Sequence, residues 1–139
     1  MMKLIKYLLM MLCLTAMTQQ AEAQNRQVDK VYIYGFAASF NDSTVYFTDI
    51  QEVRGAYMHT KSKFLVNRDE YSHQLRNYLK EKGYYQPTCI TCYAYDRKKA
   101  QKGYDKLRRK YTVKAKNRFV VIDIKEQDFK YQPVTPDEN

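Results

Sequence analysis

The segment that decides the fold reads Thr88-Cys89-Ile90-Thr91-Cys92-Tyr93-Ala94-Tyr95, and it is followed directly by a very basic stretch, residues 96–111. The β-branched and aromatic residues of the first part predict a strand. Asp96 is a suitable N-cap for a helix, and an apolar stripe then recurs at helical spacing, formed by Ala100, Tyr104, Leu107 and Tyr111. The segment therefore predicts a strand followed by an amphipathic helix. A glycine inside that helix, Gly103, suggests a close packing contact because glycine is unfavourable in helix interiors.

Working outward, two strands are predicted at residues 31–40 and 45–50, joined by the turn formers of residues 41–44. A first helix is predicted to begin after Asn67, because Glu70 lies three residues further on as in a capping box. It is predicted to end before Gly83, which supplies the left-handed residue past the helix end. A last strand is predicted at residues 119–124. Residues 51–66 have no clear pattern: Gly55 and the polar residues 59–63 suggest a loop, and residues 64–66 fit either a short strand or a hydrophobic staple at the start of the next helix.

The predicted order is strand, strand, helix, strand, helix, strand. Each helix has one apolar stripe, so each is expected to cover a sheet with that stripe. The expected fold class is α+β: a two-layer sandwich of a four-stranded sheet with both helices on one face.

The first 23 residues have the pattern of a secretory signal peptide. Lys3 and Lys6 precede a short apolar run, and the small residues Ala21 and Ala23 predict cleavage before Gln24. A retained anchor and a lipoprotein modified at Cys13 are the alternatives, but the run is shorter than the ~20 residues that span a bilayer. The expected domain organisation is a signal peptide at 1–23, a flexible lead-in at 24–30, a single domain at 31–131 and a disordered tail at 132–139. We therefore expect an exported protein, periplasmic or secreted, with no transmembrane segment after signal cleavage.

Positive charge is concentrated in one region. Residues 97–118 contain eleven Lys or Arg and a single acid, Asp105, in a chain whose net charge is +9. On a helical wheel, four of these cations lie opposite the apolar stripe, namely Lys98, Lys102, Lys106 and Arg109. Such a face is either a solvated surface or a binding surface for an anionic partner.

Tyrosine is the second compositional signal, since the chain has 14 Tyr and no Trp. Four strand tyrosines would share one face of the sheet if the strands align suitably, namely Tyr32, Tyr34, Tyr93 and Tyr95. If that face has no helices, it forms an aromatic platform of the kind that stacks on bases or sugar rings. Alternatively, the tyrosines cover an open face or pair two copies as a dimer.

Cys89 and Cys92 form a C-x-x-C pattern, which in an exported protein suggests a thiol-active site. That chemistry requires the first thiol at a helix N-terminus, whereas these cysteines precede the predicted helix. Residues three apart in a strand point to opposite faces, so the two sulfurs should diverge. A single C-x-x-C pair is also insufficient for a zinc site, so no metal is expected.

Enzymatic chemistry has little support in the sequence. His59 and His73 stand outside any catalytic motif, and there is no glycine-rich phosphate loop. A small hydrolase would need one of these histidines beside a carboxylate in a pocket. No cofactor is expected, and whether the protein is an enzyme stays open, with the balance against it.

Three resemblances can be given on specific residues. Residues 31–36 resemble the first strand of an RNA-recognition motif, but that family places a helix directly after this strand, and with export this argues against nucleic acid as the partner. Residues 92–97 together with Phe119-Val120-Val121 resemble the second half of the SPOR domain, an exported peptidoglycan-binding module. Residues 46–50 and 71–76 resemble a family of small exported proteins of Bacteroides-type bacteria.

The function expected from the sequence is that of a non-enzymatic exported module. Its basic helix would bind an anionic envelope partner, which is a glycan, a lipid headgroup or a protein. The alternative is a thiol-active protein that uses Cys89 and Cys92.

Overall fold

The computed structural model describes residues 24–84 and 87–137. The predicted signal peptide and Cys13 lie outside the described residues. The described chain forms the strands β1 (Asn25–Gln27), β2 (Lys30–Ala38), β3 (Thr44–Thr48), β4 (Gln51–Arg54), β5 (Tyr57–His59), β6 (Thr88–Ala94) and β7 (Val120–Ile124), and the helices α1 (Arg68–Glu81) and α2 (Arg97–Tyr111).

Strand β2 lies at the centre of a five-stranded sheet. One of its edges pairs with β6, and the other pairs with β4 and then β3, all antiparallel. β7 adds to β3 in parallel, so the sheet is mixed. The α+β class is therefore confirmed. The predicted four-stranded sheet is wrong in strand number, because β4 also pairs with β2, although it lies in the segment 51–66 that suggested a loop. The strand predicted at 45–50 ends at Thr48.

The two helices cover opposite faces of the sheet, so the prediction that both lie on one face is wrong. On one face, α1 buries Tyr71, Leu75 and Leu79 against Val31, Ile33 and Ala37 of β2. On the other, α2 packs on the alternate residues of the same strand, Tyr32, Tyr34 and Phe36. The cause is that β2 is apolar on both faces, and a strand of this kind is stable only when both faces are covered.

The helix ends follow local sequence signals closely. The Asp96 side chain accepts hydrogen bonds from the N–H groups of Lys98 (2.7 Å) and Lys99 (3.2 Å), so the predicted cap of α2 is confirmed. α1 begins after Asn67 as predicted, but Asn67 is left-handed (φ 56°) and its side chain makes no capping bond. The predicted contact at Gly103 is also confirmed, because a Cβ there would lie 2.8 Å from the Tyr34 hydroxyl.

The N-terminal residues are more ordered than predicted. Within the expected flexible lead-in, 24–30, β1 pairs antiparallel with β5 to form a separate two-stranded sheet. Val28 is buried in the main core on the α1 face. The lead-in is therefore part of the domain, and its neighbour β5 lies in the segment that had no readable pattern.

The segment after β7 is held against the domain by two glutamine side chains. Gln51, fully buried in β4, donates to the Phe129 carbonyl (2.8 Å) and accepts from the Tyr131 N–H (2.7 Å). Gln74 makes the same pair of bonds with the backbone of Gln132, at 3.0 and 2.9 Å, on the exposed side of α1. Each glutamine side-chain amide thus makes the two backbone hydrogen bonds that a neighbouring strand would otherwise make.

These contacts continue past the predicted start of the disordered tail at residue 132. The Val134 N–H donates to the Tyr71 hydroxyl (3.0 Å), and the Val134 side chain packs on the core. The predicted start of the tail, residue 132, therefore lies inside a segment that is docked on the domain. Residues 138–139 lie outside the described residues.

Candidate functional site

The outer face of α2 presents the four cations that the helical wheel places together. Lys98, Lys102, Lys106 and Arg109 are all exposed, and Ala100 on the opposite side is buried against Tyr32 and Tyr34. Their spacing of three and four residues places them in one row along the helix. We call this row the basic face.

The other arginines of α2 are occupied by neighbouring side chains. Arg108 donates to both Asp123 oxygens at 2.6 and 3.2 Å and to the Tyr104 hydroxyl at 2.9 Å, and the bond to Asp123 raises the pKa of Arg108. Arg97 lies 5.9 Å from the Tyr32 ring centre. By contrast, within residues 24–84 and 87–137 the basic face takes part in no salt bridge. Its charges are therefore available to an external anion.

The predicted aromatic platform is not formed. The register places Ile33 opposite Tyr93 and Tyr34 opposite Cys92, so Tyr93 lies on the α1 face and Tyr34 on the α2 face. Tyr32 and Tyr34 are buried beneath α2, and burial raises the pKa of Tyr34. Tyr93 packs against the α1-side core with the Arg68 guanidinium 5.4 Å from its ring, while Tyr95 is exposed. The four tyrosines therefore cannot act as one stacking surface.

The two described cysteines are free and lie on opposite faces of β6. Cys89 pairs with Ala37 and belongs to the α1-side core, whereas Cys92 pairs with Tyr34 beneath α2. Burial raises the pKa of Cys89 to about 11, and burial also raises the pKa of Cys92. The two sulfurs thus diverge as the strand geometry predicts. Because their pKa values are raised, both thiols stay protonated and weakly nucleophilic near neutral pH.

We expect Cys89 and Cys92 to resist alkylation in the folded protein at pH 8 and to react rapidly after unfolding. The expected slowing at Cys89 is roughly a hundredfold, because a thiol whose pKa is two units higher has ~100 times less thiolate. Peptide mapping of timed iodoacetamide reactions measures each site. Reaction of folded Cys89 at the unfolded rate, or a Cys89–Cys92 disulfide in the folded protein, would contradict this.

A groove of about 490 Å³ lies beside β4 and the start of α2. Its charged lining has both signs, with Arg54, Arg97 and Lys130 close to Glu52 and Glu126. Neither histidine lines it: His59 accepts a hydrogen bond from the Ser62 N–H (3.3 Å) in a turn, and His73 is exposed on α1. The groove therefore does not contain the His–carboxylate pair that a hydrolase would require.

Residues 24–84 and 87–137 contain no group of three or more His, Cys, Asp or Glu that could hold a metal ion. Within the same ranges, neither helix has the length and apolar character needed to span a bilayer.

The chain has no match among protein-family models, curated proteins or solved structures. The resemblances to the SPOR domain and to small exported proteins of Bacteroides-type bacteria therefore stay predictions.

Three further cations follow the C-terminal end of α2 and were not among the predicted site residues. Lys114, Lys116 and Arg118 continue the positive charge beyond the basic face, in a loop whose residues Lys116 and Asn117 are left-handed (φ 51° and 57°). The sequence signal for these cations was present in the charge count, but their position relative to the β2–β3 turn depends on the tertiary fold.

Proposed function

We propose that the protein is a non-enzymatic, exported binding module that holds an anionic envelope partner on the basic face of α2. The observation that carries the proposal is the row formed by Lys98, Lys102, Lys106 and Arg109, exposed and without a salt bridge in the described chain. Because α2 is fixed to the sheet by its other side, the row is a preorganised surface, and binding costs little ordering of the backbone.

The neighbouring interactions support this assignment. Asp105 is the one acid of α2, and it accepts a hydrogen bond from Gln101 (2.9 Å) rather than pairing with a cation. Arg108, by contrast, is neutralised by Asp123. Charge on the helix is thus balanced where it contacts the sheet and unbalanced where it faces solvent, which is the distribution that attracts an anion.

The test replaces the basic face with neutral side chains of similar length. We expect the variant Lys98→Gln, Lys102→Gln, Lys106→Gln, Arg109→Gln to lose about tenfold in envelope retention, since each exposed contact contributes up to ~1 kcal/mol. The measurement is the fraction of protein retained by envelope preparations across a NaCl series. Retention by the native protein should fall steeply with salt, because exposed charges are screened within ~10 Å at 0.1 M.

The matched control removes the same charge elsewhere. Arg26→Gln, Lys61→Gln, Lys63→Gln and Lys80→Gln together change one arginine and three lysines, all exposed and outside the salt bridges of the described chain. This control should retain envelope binding. Unaltered retention and salt dependence in the α2 variant would refute the proposal, as would equal loss in the control.

A further inference from the structure

One end of the molecule carries three exposed apolar side chains. Phe40 is 89% exposed, Val113 is 74% exposed and Val120 is 60% exposed. They come from three separate segments: the turn between β2 and β3, the chain just after α2, and the first residue of β7. We call these three residues the apolar tip.

Backbone and ring contacts bring the three segments together. The Val120 N–H donates to the Ser43 carbonyl (2.8 Å), so the start of β7 lies beside the β2–β3 turn that contains Phe40. The Tyr111 ring, two residues before Val113, lies 5.1 Å from Phe119. The C-terminal end of α2 therefore lies at the same end of the sheet as the turn and the start of β7.

The segment that joins two residues of the apolar tip is basic. Lys114, Lys116 and Arg118 lie in the loop between Val113 and Val120, and all three are exposed. An acid is also present in the turn: Asp42 accepts a hydrogen bond from the Thr44 N–H (2.9 Å), as is usual for turn formation. The balance of charge in these two connecting segments is nevertheless positive, with three cations and one acid.

We propose that the apolar tip enters the interfacial region of an anionic lipid bilayer while Lys114, Lys116 and Arg118 contact lipid phosphates. This rests on the proposed function, since it specifies the anionic partner as lipid. Transfer of apolar side chains from water to the acyl boundary is favourable, and nearby cations are attracted to an anionic surface. One weak signal gives only marginal, reversible membrane binding, and stable attachment requires two, which the apolar side chains and the cations together supply.

The combination favours lipid over the other occupants of such a surface. A glycan offers the cations an anion but offers Phe40, Val113 and Val120 no apolar phase. A second copy of the chain would bury the tip but would bring two sets of three cations together, which is repulsive. A bilayer with acidic headgroups satisfies both kinds of side chain at one surface.

The main test compares lipid binding by purified variants of the protein. Vesicles of phosphatidylcholine with phosphatidylglycerol are the probe, and soluble polyphosphate is an anion without an apolar phase. Phe40→Ser with Val113→Ser should reduce sedimentation with the vesicles by about tenfold or more, because two apolar side chains then no longer leave water on binding. Polyphosphate binding should be unchanged. Phe64→Ser, which removes another exposed aromatic (65%) from a turn next to β5, should alter neither.

A second measurement reports insertion directly. Because the chain contains no Trp, Phe40→Trp introduces a single tryptophan whose emission should shift to shorter wavelength on adding the anionic vesicles. Phe64→Trp should show no shift. The inference is overturned if Phe40→Trp stays unshifted, or if Phe40→Ser with Val113→Ser binds vesicles as well as the native protein.

These outcomes separate the two proposals. If the native protein binds polyphosphate through the basic face but its vesicle binding is independent of the apolar tip, the lipid inference fails and the proposed function stands. If neutralising the basic face leaves polyphosphate binding and envelope retention intact, the proposed function fails whatever the tip does.

Discussion

Gly35→Ala is expected to lower the free energy of unfolding by about 3 kcal/mol, at the upper end of the usual cost of overpacking a core. Gly35 lies in the middle of β2, and an added Cβ would overlap the Tyr131 hydroxyl and lie 2.7 Å from Leu75 Cδ2. Both neighbours are fully buried, so neither has free space into which to move. Urea unfolding followed by circular dichroism measures the change, and a loss below ~1 kcal/mol would contradict it.

The Tyr131 hydroxyl provides a rescue that tests the cause. It is buried and has no hydrogen-bond partner in the described chain, so Tyr131→Phe removes an unsatisfied polar atom and should be neutral or stabilising by about 1 kcal/mol. The same change frees space above Gly35. Gly35→Ala with Tyr131→Phe should therefore be more stable than Gly35→Ala alone by at least ~1 kcal/mol, beyond the effect of Tyr131→Phe by itself. Strict additivity would mean that the hydroxyl is not what the new methyl group meets.

The features that could be predicted from sequence are those that depend on residues close along the chain. The cap at Asp96 and the amphipathic face of α2 require only a few neighbouring residues. The exposure of Lys98 and Lys102 follows from the same helical period. The divergence of Cys89 from Cys92 follows from the two-residue period of a strand, which holds whatever the partner strand is.

The arrangement of layers was harder to predict, although a signal for it was present. Residues 31–38 are apolar on both faces, and a sheet covered by helices on one face only would leave the aromatic set of Tyr32, Tyr34 and Phe36 in water. That pattern favours a helix on each side. The hypothesis of an aromatic platform depended on the same expectation of one uncovered sheet face, because it needed Tyr32 and Tyr93 to share that face.

The apolar tip and the docked C-terminal segment had no local signal. Phe40 is the last residue of an apolar run that predicts a strand, and its exposure depends on where β2 stops and the turn begins. Gln51 and Tyr131 are 80 residues apart, and a glutamine in an unpatterned segment does not indicate what it will bind. Such contacts are determined by tertiary packing, which sequence periodicity does not report.

Gln51→Met is expected to lower the free energy of unfolding by about 3 kcal/mol. Methionine has a similar length and fills the buried volume, so the loss isolates the two hydrogen bonds to the backbone of Phe129 and Tyr131. Both backbone groups would be left buried without partners, and each such group costs ~1–3 kcal/mol. Urea unfolding measures the total, and hydrogen exchange at the Tyr131 amide, which should become faster, places the loss at the docked segment.

Gln74→Met is the matched comparison, because Gln74 makes the same two bonds with the backbone of Gln132 on an exposed surface. Water can replace the lost amide there, so the expected cost is below ~1 kcal/mol. The two variants thus differ in burial and not in the number or type of bonds. If Gln51→Met and Gln74→Met cost the same, the C-terminal segment is not held by buried hydrogen bonds, and the packing of Phe129 and Tyr131 on the α1-side core would have to hold it instead.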